Sequence, residues 1–333
     1  MEVPWGGANS FLRSLRGTLV ADPDIEVVTD ENSACDIFFL NQLYRGPGRP
    51  RFSRKFLSPS QIRLLSRLGT TCLWRALRHK VAGKVVQPPA IVCRLVNHAE
   101  HAYGKVNREQ ADLFGALTFT TADIFQTRYL YEVFQASGYK KTDPVVIHNG
   151  VNQEIFHPRR RVVWHPGKPL VVVSSAMTLR RTKRFDLIAA VSLLPGVESH
   201  HAGIWPEDVP RGRVRLLGRL THDEIAGFFR EKAHVFMHPA ERDICPNAVV
   251  EAMSCGLPVF FSKLGGTAEL VGSCGIALVD GIEAAVKKMQ NDYRRMQELL
   301  QQRQPYFSIA RAAAEYKAVF RRVAASRSVL HYL

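Results

Sequence analysis

Short runs rich in β-branched and aromatic residues alternate with helical patterns along the chain. In the first half the runs that predict buried strands are "DIFFL" (36–40), "AIVCRLV" (90–96), "LTFTT" (117–121) and "PVVIHN" (144–149). Helical periodicity falls between them, around residues 9–20, 59–80, 107–114 and 124–137. This alternation is typical of βαβ units, in which helices connect the parallel strands of one sheet. It therefore predicts an α/β fold with parallel sheets.

The alternation starts again in the second half of the chain. The predicted strands there are "PLVVVSSA" (169–176), "VESHHAGI" (197–204), "RVRLLG" (213–218), "HVFMH" (234–238) and "PVFF" (258–261). Helices are predicted over 184–194 and from Thr221, which forms a capping box with Glu224. The Pro- and Arg-rich stretch 156–169 separates the two halves as a linker. A chain of 333 residues is too long for one ordinary hydrophobic core. We therefore predict two doubly wound α/β domains with a cleft between them.

The composition is that of a globular protein, with 46% hydrophobic and 23% charged residues. No apolar run approaches the roughly 18 residues that span a bilayer. The first residues, "MEVPWGGANSF", lack the basic and apolar regions of a signal peptide. The six cysteines show no C-x-x-C spacing, which argues against a zinc site or a disulfide framework. We therefore expect a cytoplasmic protein.

The net charge of +15 is unevenly distributed. Residues 45–99 contain no Asp or Glu. Their cations are Arg45, Arg49, Arg51, Arg54, Lys55, Arg63, Arg67, Arg75, Arg78, Lys80, Lys84 and Arg94. Such a block attracts nucleic acid, anionic lipid headgroups or phosphorylated substrates, and charge alone does not choose among them.

The pattern within this basic block favours a membrane surface. Leu73, Trp74, Leu77 and Val81 fall on one face of a predicted helix, with arginines elsewhere on it. Apolar residues beside arginines are typical of a helix lying in a membrane interface, although a stripe packed on the domain core is the alternative. No aromatic-interleaved basic strand or recognition motif supports nucleic-acid binding. We therefore expect 45–99 to contact an anionic membrane surface.

The stretch "ERDICPNAVVEAMSCGLPVF" (241–260) places an acidic loop before a helix. Pro246 suits the first helical turn, Gly256 suits the position after the last turn, and Pro258 prevents continuation. The helix carries one further acid, Glu251, off its packed face and on the side of Asn247. An isolated glutamate there is ordinarily a solvated surface residue.

Three other loops carry groups suited to phosphate binding. Gly6 and Gly7 precede a helix, Gly265 and Gly266 precede another, and the loop 177–186 holds Arg180, Arg181, Lys183 and Arg184. Neither a G-x-G-x-x-G fingerprint nor a Walker lysine loop is present, so neither signature supports a nicotinamide enzyme or a P-loop NTPase. Cations and helix N-termini suit a diphosphate, and carboxylates accept vicinal hydroxyls. Together these groups predict a nucleotide-sugar site, with Glu251 on the ribose and the loop acids on the sugar.

Several of these segments resemble the retaining glycosyltransferases of family 4, which have the GT-B fold. The stretch 238–271 resembles the family's E-x7-E block with its Gly-x-Pro-Val strand and Gly-Gly-x-x-Glu turn. "VIHNGVNQEIFHP" (146–158) resembles the segment that joins the two domains, "WGGANSFLRSL" the N-terminal glycine-rich loop, and "TKRFDLI" the lysine helix start. The matches occur in the expected order.

The resemblance implies a domain organisation and a reaction. Residues 1–155 would form an acceptor-binding domain, 156–305 a nucleotide-sugar-binding domain, and 306–333 a helix that packs back on the first. The enzyme would move a hexosyl group, with retention of configuration, onto a glycan or lipid-linked acceptor in bacterial-type surface polysaccharide or glycolipid synthesis. It would work in the cytoplasm, associated with the inner face of the cytoplasmic membrane.

The resemblance also implies roles for residues of this chain. Lys183, Asp243, Glu251 and His98 would be catalytic, and the donor would be bound by Gly6, Gly7, Arg180, Arg181, Glu241, Asn247, Gly265 and Gly266. Asp243 or Glu241 would contact the donor sugar, since the first acid of the E-x7-E spacing falls on an aspartate. Arg180 or Arg181 would replace the family arginine, whose position is Met177, and Arg184 stands where the family has glycine. Among Asn97, His98 and His101, His98 is favoured near the anomeric centre, a buried structural histidine being the alternative.

The resemblance implies a reaction without a cofactor or metal, in which protein cations stabilise the departing diphosphate. The remaining alternatives are a basic nucleic-acid-binding or scaffolding protein and a GT-B protein that has lost activity.

Overall fold

The computed structural model describes residues 7–28, 35–41, 90–98, 117 and 120–328. The helices are α1 (Gly7–Val20), α2 (Arg128–Ala136), α3 (Phe185–Val191), α4 (His222–Glu231), α5 (Asn247–Ser254), α6 (Thr267–Val271), α7 (Ile282–Gln302) and α8 (Ile309–Ser328). The strands are β1 (Ile37–Asn41), β2 (Ala90–Leu95), β3 (Ala122–Phe125), β4 (Val145–Val146), β5 (Leu170–Ala176), β6 (Val197–Gly203), β7 (Arg215–Gly218), β8 (Val235–His238), β9 (Val259–Phe261) and β10 (Gly275–Ala277).

The chain divides into two compact units. The larger unit contains residues 7–25 and His148–Ala313, and the smaller unit contains the described parts of 26–147 and 314–328. The boundary near residue 313 falls within α8. The limits 1–155, 156–305 and 306–333, with their assigned roles, stay a prediction.

The smaller unit is built on a parallel sheet with the strand order β1-β2-β3-β4. Of the strand predicted over 117–121, residues 118 and 119 lie outside the described residues, and Thr120 and Thr121 precede β3, which begins at Ala122. The Thr120 hydroxyl lies within hydrogen-bond distance of the carbonyl of Leu117 (2.8 Å) and of Oδ1 of Asp123 (2.6 Å), which are local contacts. The helix predicted from residue 124 begins later, at Arg128, where the Thr127 hydroxyl caps the amide of Leu130. The predicted helices 59–80 and 107–114 lie outside the described residues.

The larger unit contains a parallel sheet with the order β10-β9-β8-β5-β6-β7. In chain order within this unit, the arrangement is the doubly wound 3-2-1-4-5-6 pattern. Successive residues of β5 enter different cores: Val173 packs in one apolar cluster with Phe236 and Met253, and Val172 in a second with Met237 and Met289. The central part of the sheet is therefore covered on both faces, which explains why strands β5, β8 and β9 are largely apolar runs.

The helix boundaries of the larger unit follow local sequence signals. The predicted capping box is confirmed, since Thr221 accepts from the amide of Glu224 and the Glu224 side chain accepts from that of Thr221. The predicted helix after Pro246 is α5, and its packed face, with Val249, Ala252 and Met253, is fully buried. Gly256 follows α5 with φ +84°, a conformation that glycine adopts at low cost.

Of the helices that the structure describes, none combines the length and the apolar character needed to cross a membrane.

Candidate functional site

Three loops of the larger unit are joined by backbone hydrogen bonds at the carboxyl ends of β5, β8 and β9. The Glu241 amide donates to the carbonyl of Thr182 (2.8 Å), which connects the loops after β8 and β5. The Arg242 amide donates to the carbonyl of Leu264 (2.6 Å), which connects the loops after β8 and β9. The chain order reverses between β5 and β8, and in doubly wound sheets ligands bind at that point.

Lys183 and Asp243 form an ion pair where these loops meet. Lys183 Nζ lies 2.6 Å from Asp243 Oδ2, and their side chains are 22% and 30% exposed. The 3₁₀ turn Arg181–Lys183 presents the lysine directly before α3. The pair thus places a cation and a carboxylate, the two predicted catalytic groups of these loops, side by side.

His238, the last residue of β8, holds the same carboxylate. Its Nε2 lies 2.8 Å from Asp243 Oδ2, and its side chain is only 5% exposed. Burial by itself raises the pKa of Asp243, but the charge of Lys183 and the hydrogen bond from His238 outweigh it and hold this pKa well below its usual range. Burial is also the largest influence on His238 and lowers its pKa, against the opposing effect of Asp243. Because an ionised carboxylate only accepts, neutral His238 carries its proton on Nε2.

Asp243 Oδ1 receives no hydrogen bond from the residues that the structure describes, since the bonds from Lys183 and His238 both end on Oδ2. A carboxylate with one oxygen held and the other open is a suitable acceptor for a ligand hydroxyl.

Arg184 adopts the left-handed conformation, with φ +54°. This is the position where the resembled family has glycine, and a non-glycine residue there costs on the order of 1 kcal/mol. The Arg184 guanidinium is bound by Asp186 (2.8 Å) and by Glu241. These ion pairs hold the strained turn and also fix Glu241, the alternative sugar-binding acid, within the same site.

Glu251 lies on α5, half-buried, and its side chain makes no hydrogen bond or ion pair to the described part of the chain. Burial raises its pKa to about 7, and burial is the only cause. This burial does not fit the alternative of a well-solvated surface glutamate, because a solvated carboxylate keeps its ordinary pKa. One turn earlier, Asn247 Oδ1 accepts a hydrogen bond from Asn149 Nδ2 (2.7 Å).

The Gly265–Gly266 turn packs against the acidic loop. A Cβ on Gly265, which has φ +128°, would lie 2.6 Å from the carbonyl oxygen of Asp243. The Gly266 amide donates to that carbonyl (2.8 Å), so in this conformation it is not available to a diphosphate. The turn therefore positions Asp243, and the predicted diphosphate contact of Gly266 needs a different backbone arrangement.

The other predicted site residues are placed in several parts of the molecule. Arg180 and Arg181 are exposed on the loop before Lys183. Gly7 is the first residue of α1, which packs against α5, and Gly6 lies outside the described residues. His98 belongs to the smaller unit, where it is fully buried with its ring edge-to-face with Phe134 at 5.2 Å. That environment supports the alternative of a structural histidine.

Sequence reasoning missed His238 as a site residue. Its signal is a histidine that ends a buried strand directly before an acidic loop, a position from which a side chain reaches the carboxyl edge of the sheet.

The loops just described fall within a recognised domain. Residues 174–294 match the family described as "Glycosyl transferases group 1". This part of the chain is similar to a group 1 glycosyltransferase domain. It contains Lys183, Asp243 and Glu251, and the match agrees with the resemblance to a family 4-like GT-B glycosyltransferase.

Solved structures show the fold of the chain. Sucrose-phosphate synthase from Thermosynechococcus elongatus covers 96% of this chain and 94% of its own, with a TM-score of 0.67 and 17% identity. HepE from Anabaena, in complex with UDP and glucose, covers 70% of this chain and 71% of its own, with a TM-score of 0.53 and 18% identity. These neighbours are GT-B glycosyltransferases, and the predicted α/β, GT-B fold class is confirmed.

Curated relatives match shorter segments. The phosphatidylinositol N-acetylglucosaminyltransferase gpi3 subunit of Schizosaccharomyces pombe is 29% identical over 145 residues, which are 38% of this chain and 30% of that protein. The chain spans less than half the length of each curated relative that it matches.

Proposed function

We propose that this protein is a retaining glycosyltransferase that moves a hexosyl group from a nucleotide-sugar. The observation that carries the proposal is the Lys183–Asp243 pair at the carboxyl ends of β5 and β8, followed on α5 by the carboxylate of Glu251, which has no partner among the described residues. A cation suits the diphosphate, and two carboxylates suit the hydroxyls of the sugar and of the ribose. The match to a group 1 domain supports this assignment, and so does the complex of the Anabaena neighbour with UDP and glucose.

The proposed reaction begins when the donor diphosphate attracts Lys183 away from Asp243. The bond between the anomeric carbon and the phosphate oxygen breaks, and its electron pair stays on the diphosphate. Lys183 stabilises that charge, with Arg180 or Arg181 as a second cation. The acceptor hydroxyl attacks on the same face and gives its proton to the departing phosphate oxygen, so configuration is retained and no metal is needed.

Each carboxylate has a separate role in this proposal. Asp243 Oδ1 accepts from a hydroxyl of the transferred sugar, with Glu241 as the alternative acid of the same loop. Glu251 accepts from the two ribose hydroxyls. Bringing two donors to a partly desolvated carboxylate restores the hydrogen bonds that burial removed, and this favours nucleotide binding.

The proposed acceptor is a glycan or a lipid-linked molecule at the cytoplasmic face of a membrane, as in surface polysaccharide or glycolipid synthesis. The name of the fission-yeast relative includes a phospholipid, which supports a lipid-linked acceptor. The basic segment 45–99 would provide attraction to anionic headgroups, each cation near the surface contributing about 1 kcal/mol. Of this segment, only residues 90–98 lie within the described part of the chain.

A thermal-shift panel tests the donor assignment. UDP, GDP and ADP are compared with UDP-glucose, GDP-mannose and ADP-glucose. Ligand at about 100 times its Kd stabilises the folded state by about 2.7 kcal/mol, which is visible as a rise in Tm. The proposal predicts that one nucleotide and its sugar raise Tm, and that Glu251→Gln reduces the shift while the exposed Glu207→Gln does not. No shift with any of the six compounds at millimolar concentration would refute nucleotide-sugar binding.

A further inference from the structure

We infer that His238 is a positioning residue that orients Asp243 toward the donor sugar, an inference that rests on the proposed function. His238 ends β8, and its Nε2 lies 2.8 Å from Asp243 Oδ2. No role for this histidine follows from the acidic-block motif, whose spacing begins at the loop acids.

The need for a second partner follows from the position of Lys183. In the structure Lys183 and His238 both bind Oδ2 of Asp243. When Lys183 moves to the diphosphate, one of these bonds is lost. His238 then keeps Oδ2 occupied, so Oδ1 remains directed at the sugar and the carboxylate does not rotate.

His238 is well suited to this role because it is itself immobile. Its side chain is 5% exposed, and its ring stacks on that of Phe236, with the ring planes 14° apart and the centroids separated by 6.3 Å. The charged groups that influence it are Asp243 and Lys183. A buried neutral ring is a fixed donor, whereas Lys183 has a flexible side chain that can exchange partners.

Two substitutions of His238 distinguish an effect on the orientation of Asp243 from an effect on folding. His238→Phe keeps the ring and its stacking on Phe236 but removes the donor. His238→Gln keeps an N–H donor at a similar reach from the backbone. The matched control is His234→Asn: His234 directly precedes β8, and its Nδ1 accepts from the amide of Val171 (3.0 Å), a bond the asparagine carbonyl can keep.

The readout is the ratio of two dissociation constants measured by calorimetry, one for a nucleotide-sugar and one for the same nucleoside diphosphate. UDP-glucose with UDP, GDP-mannose with GDP and ADP-glucose with ADP are tested, and the tightest pair is used. A group that acts through Asp243 on the sugar changes only the first constant. A general loss of structure changes both.

We expect His238→Phe to weaken nucleotide-sugar binding roughly tenfold to a hundredfold, which is the range for loss of one charge-assisted hydrogen bond. Binding of the nucleoside diphosphate should stay within about threefold of wild type. His238→Gln should recover most of the loss, and His234→Asn should keep the wild-type ratio. Equal changes in both constants for His238→Phe, or no change in either, would overturn the inference.

The same protein distinguishes failure of the inference from failure of the proposed function. If wild-type protein binds none of the nucleotides, the proposed function is refuted and the inference with it. If His238→Phe does not fold, ¹⁵N-histidine NMR of wild-type protein replaces it. The His238 ring should show the Nε2–H tautomer and respond to the nucleotide-sugar more strongly than to the diphosphate. An Nδ1–H tautomer or equal responses would overturn the inference.

Discussion

Replacing Glu251 with glutamine should stabilise the ligand-free protein and weaken nucleotide binding at the same time. The carboxylate is half-buried and has no partner among the described residues, and burial raises its pKa from 4.5 to about 7. The folded state therefore holds the ionised form at a cost. Glutamine removes the charge and keeps the shape of the side chain.

The magnitude follows from linkage between protonation and folding. A folded pKa above the unfolded pKa means that the folded state binds the proton more tightly, so stability rises as pH falls. A shift of the Glu251 pKa from 4.5 to about 7 lowers the free energy of unfolding by about 3 kcal/mol at pH 8 and by less than about 1 kcal/mol at pH 5. We expect Glu251→Gln to gain up to about 3 kcal/mol at pH 8 and little at pH 5, less the desolvation of the amide.

The assay is urea unfolding at pH 5 and pH 8, followed by tryptophan fluorescence for wild type, Glu251→Gln and Glu207→Gln. Glu207 is exposed, so its variant should match wild type at both pH values. Calorimetry then measures nucleoside diphosphate binding, which Glu251→Gln should weaken about tenfold, because the amide accepts through one oxygen only.

Two results would refute this reasoning. If Glu251→Gln is no more stable than wild type at pH 8, the carboxylate is solvated or has a favourable partner. If the variant gains stability but binds nucleoside diphosphate as tightly as wild type, the acid is unpartnered for a reason other than binding ribose.

Three further predictions concern the catalytic cation, the metal and the membrane. Lys183→Ala should lower turnover roughly a hundredfold to a thousandfold in a protein that still folds, and near-wild-type turnover would remove Lys183 from the site. EDTA should leave turnover unchanged; a strict requirement for added Mg²⁺ would contradict a role for protein cations alone. Vesicle flotation should show binding to anionic but not zwitterionic liposomes, weakened by salt and by Arg75→Glu/Arg78→Glu. Binding of duplex DNA with a steep salt dependence, and of neither vesicle, would contradict the membrane expectation.

The element types and most strand positions of the larger unit could be predicted from the sequence alone. A strand buried on both faces is a continuous apolar run, as in "LVVVSSA", and helix ends are marked by local signals such as Thr221 with Glu224. Strand β3 begins at Ala122, after the predicted stretch 117–121, because the Thr120 hydroxyl bonds to Leu117, Asp123 and Lys141, contacts that β-propensity does not register.

The acidic loop, Lys183 and Glu251 could also be recognised as site candidates, because residue type and spacing after a strand carry that information. What the sequence could not decide is which of these groups contact one another. Asp243 and Lys183 are 60 positions apart and come within 2.6 Å because β5 and β8 are neighbours in the sheet.

The burial of Glu251 and the role of His238 were decided by tertiary structure. Periodicity placed Glu251 off the packed face of its helix, but desolvation depends on everything that surrounds a side chain, including segments distant in sequence. His238 is an ordinary strand residue by pattern, and only the return of the loop after β8 brings Asp243 to its ring. Sequence thus determined which chemical groups are present at the ends of the strands, and the packing of the sheet determined how they pair, since pairing and pKa depend on distances between residues far apart in the chain.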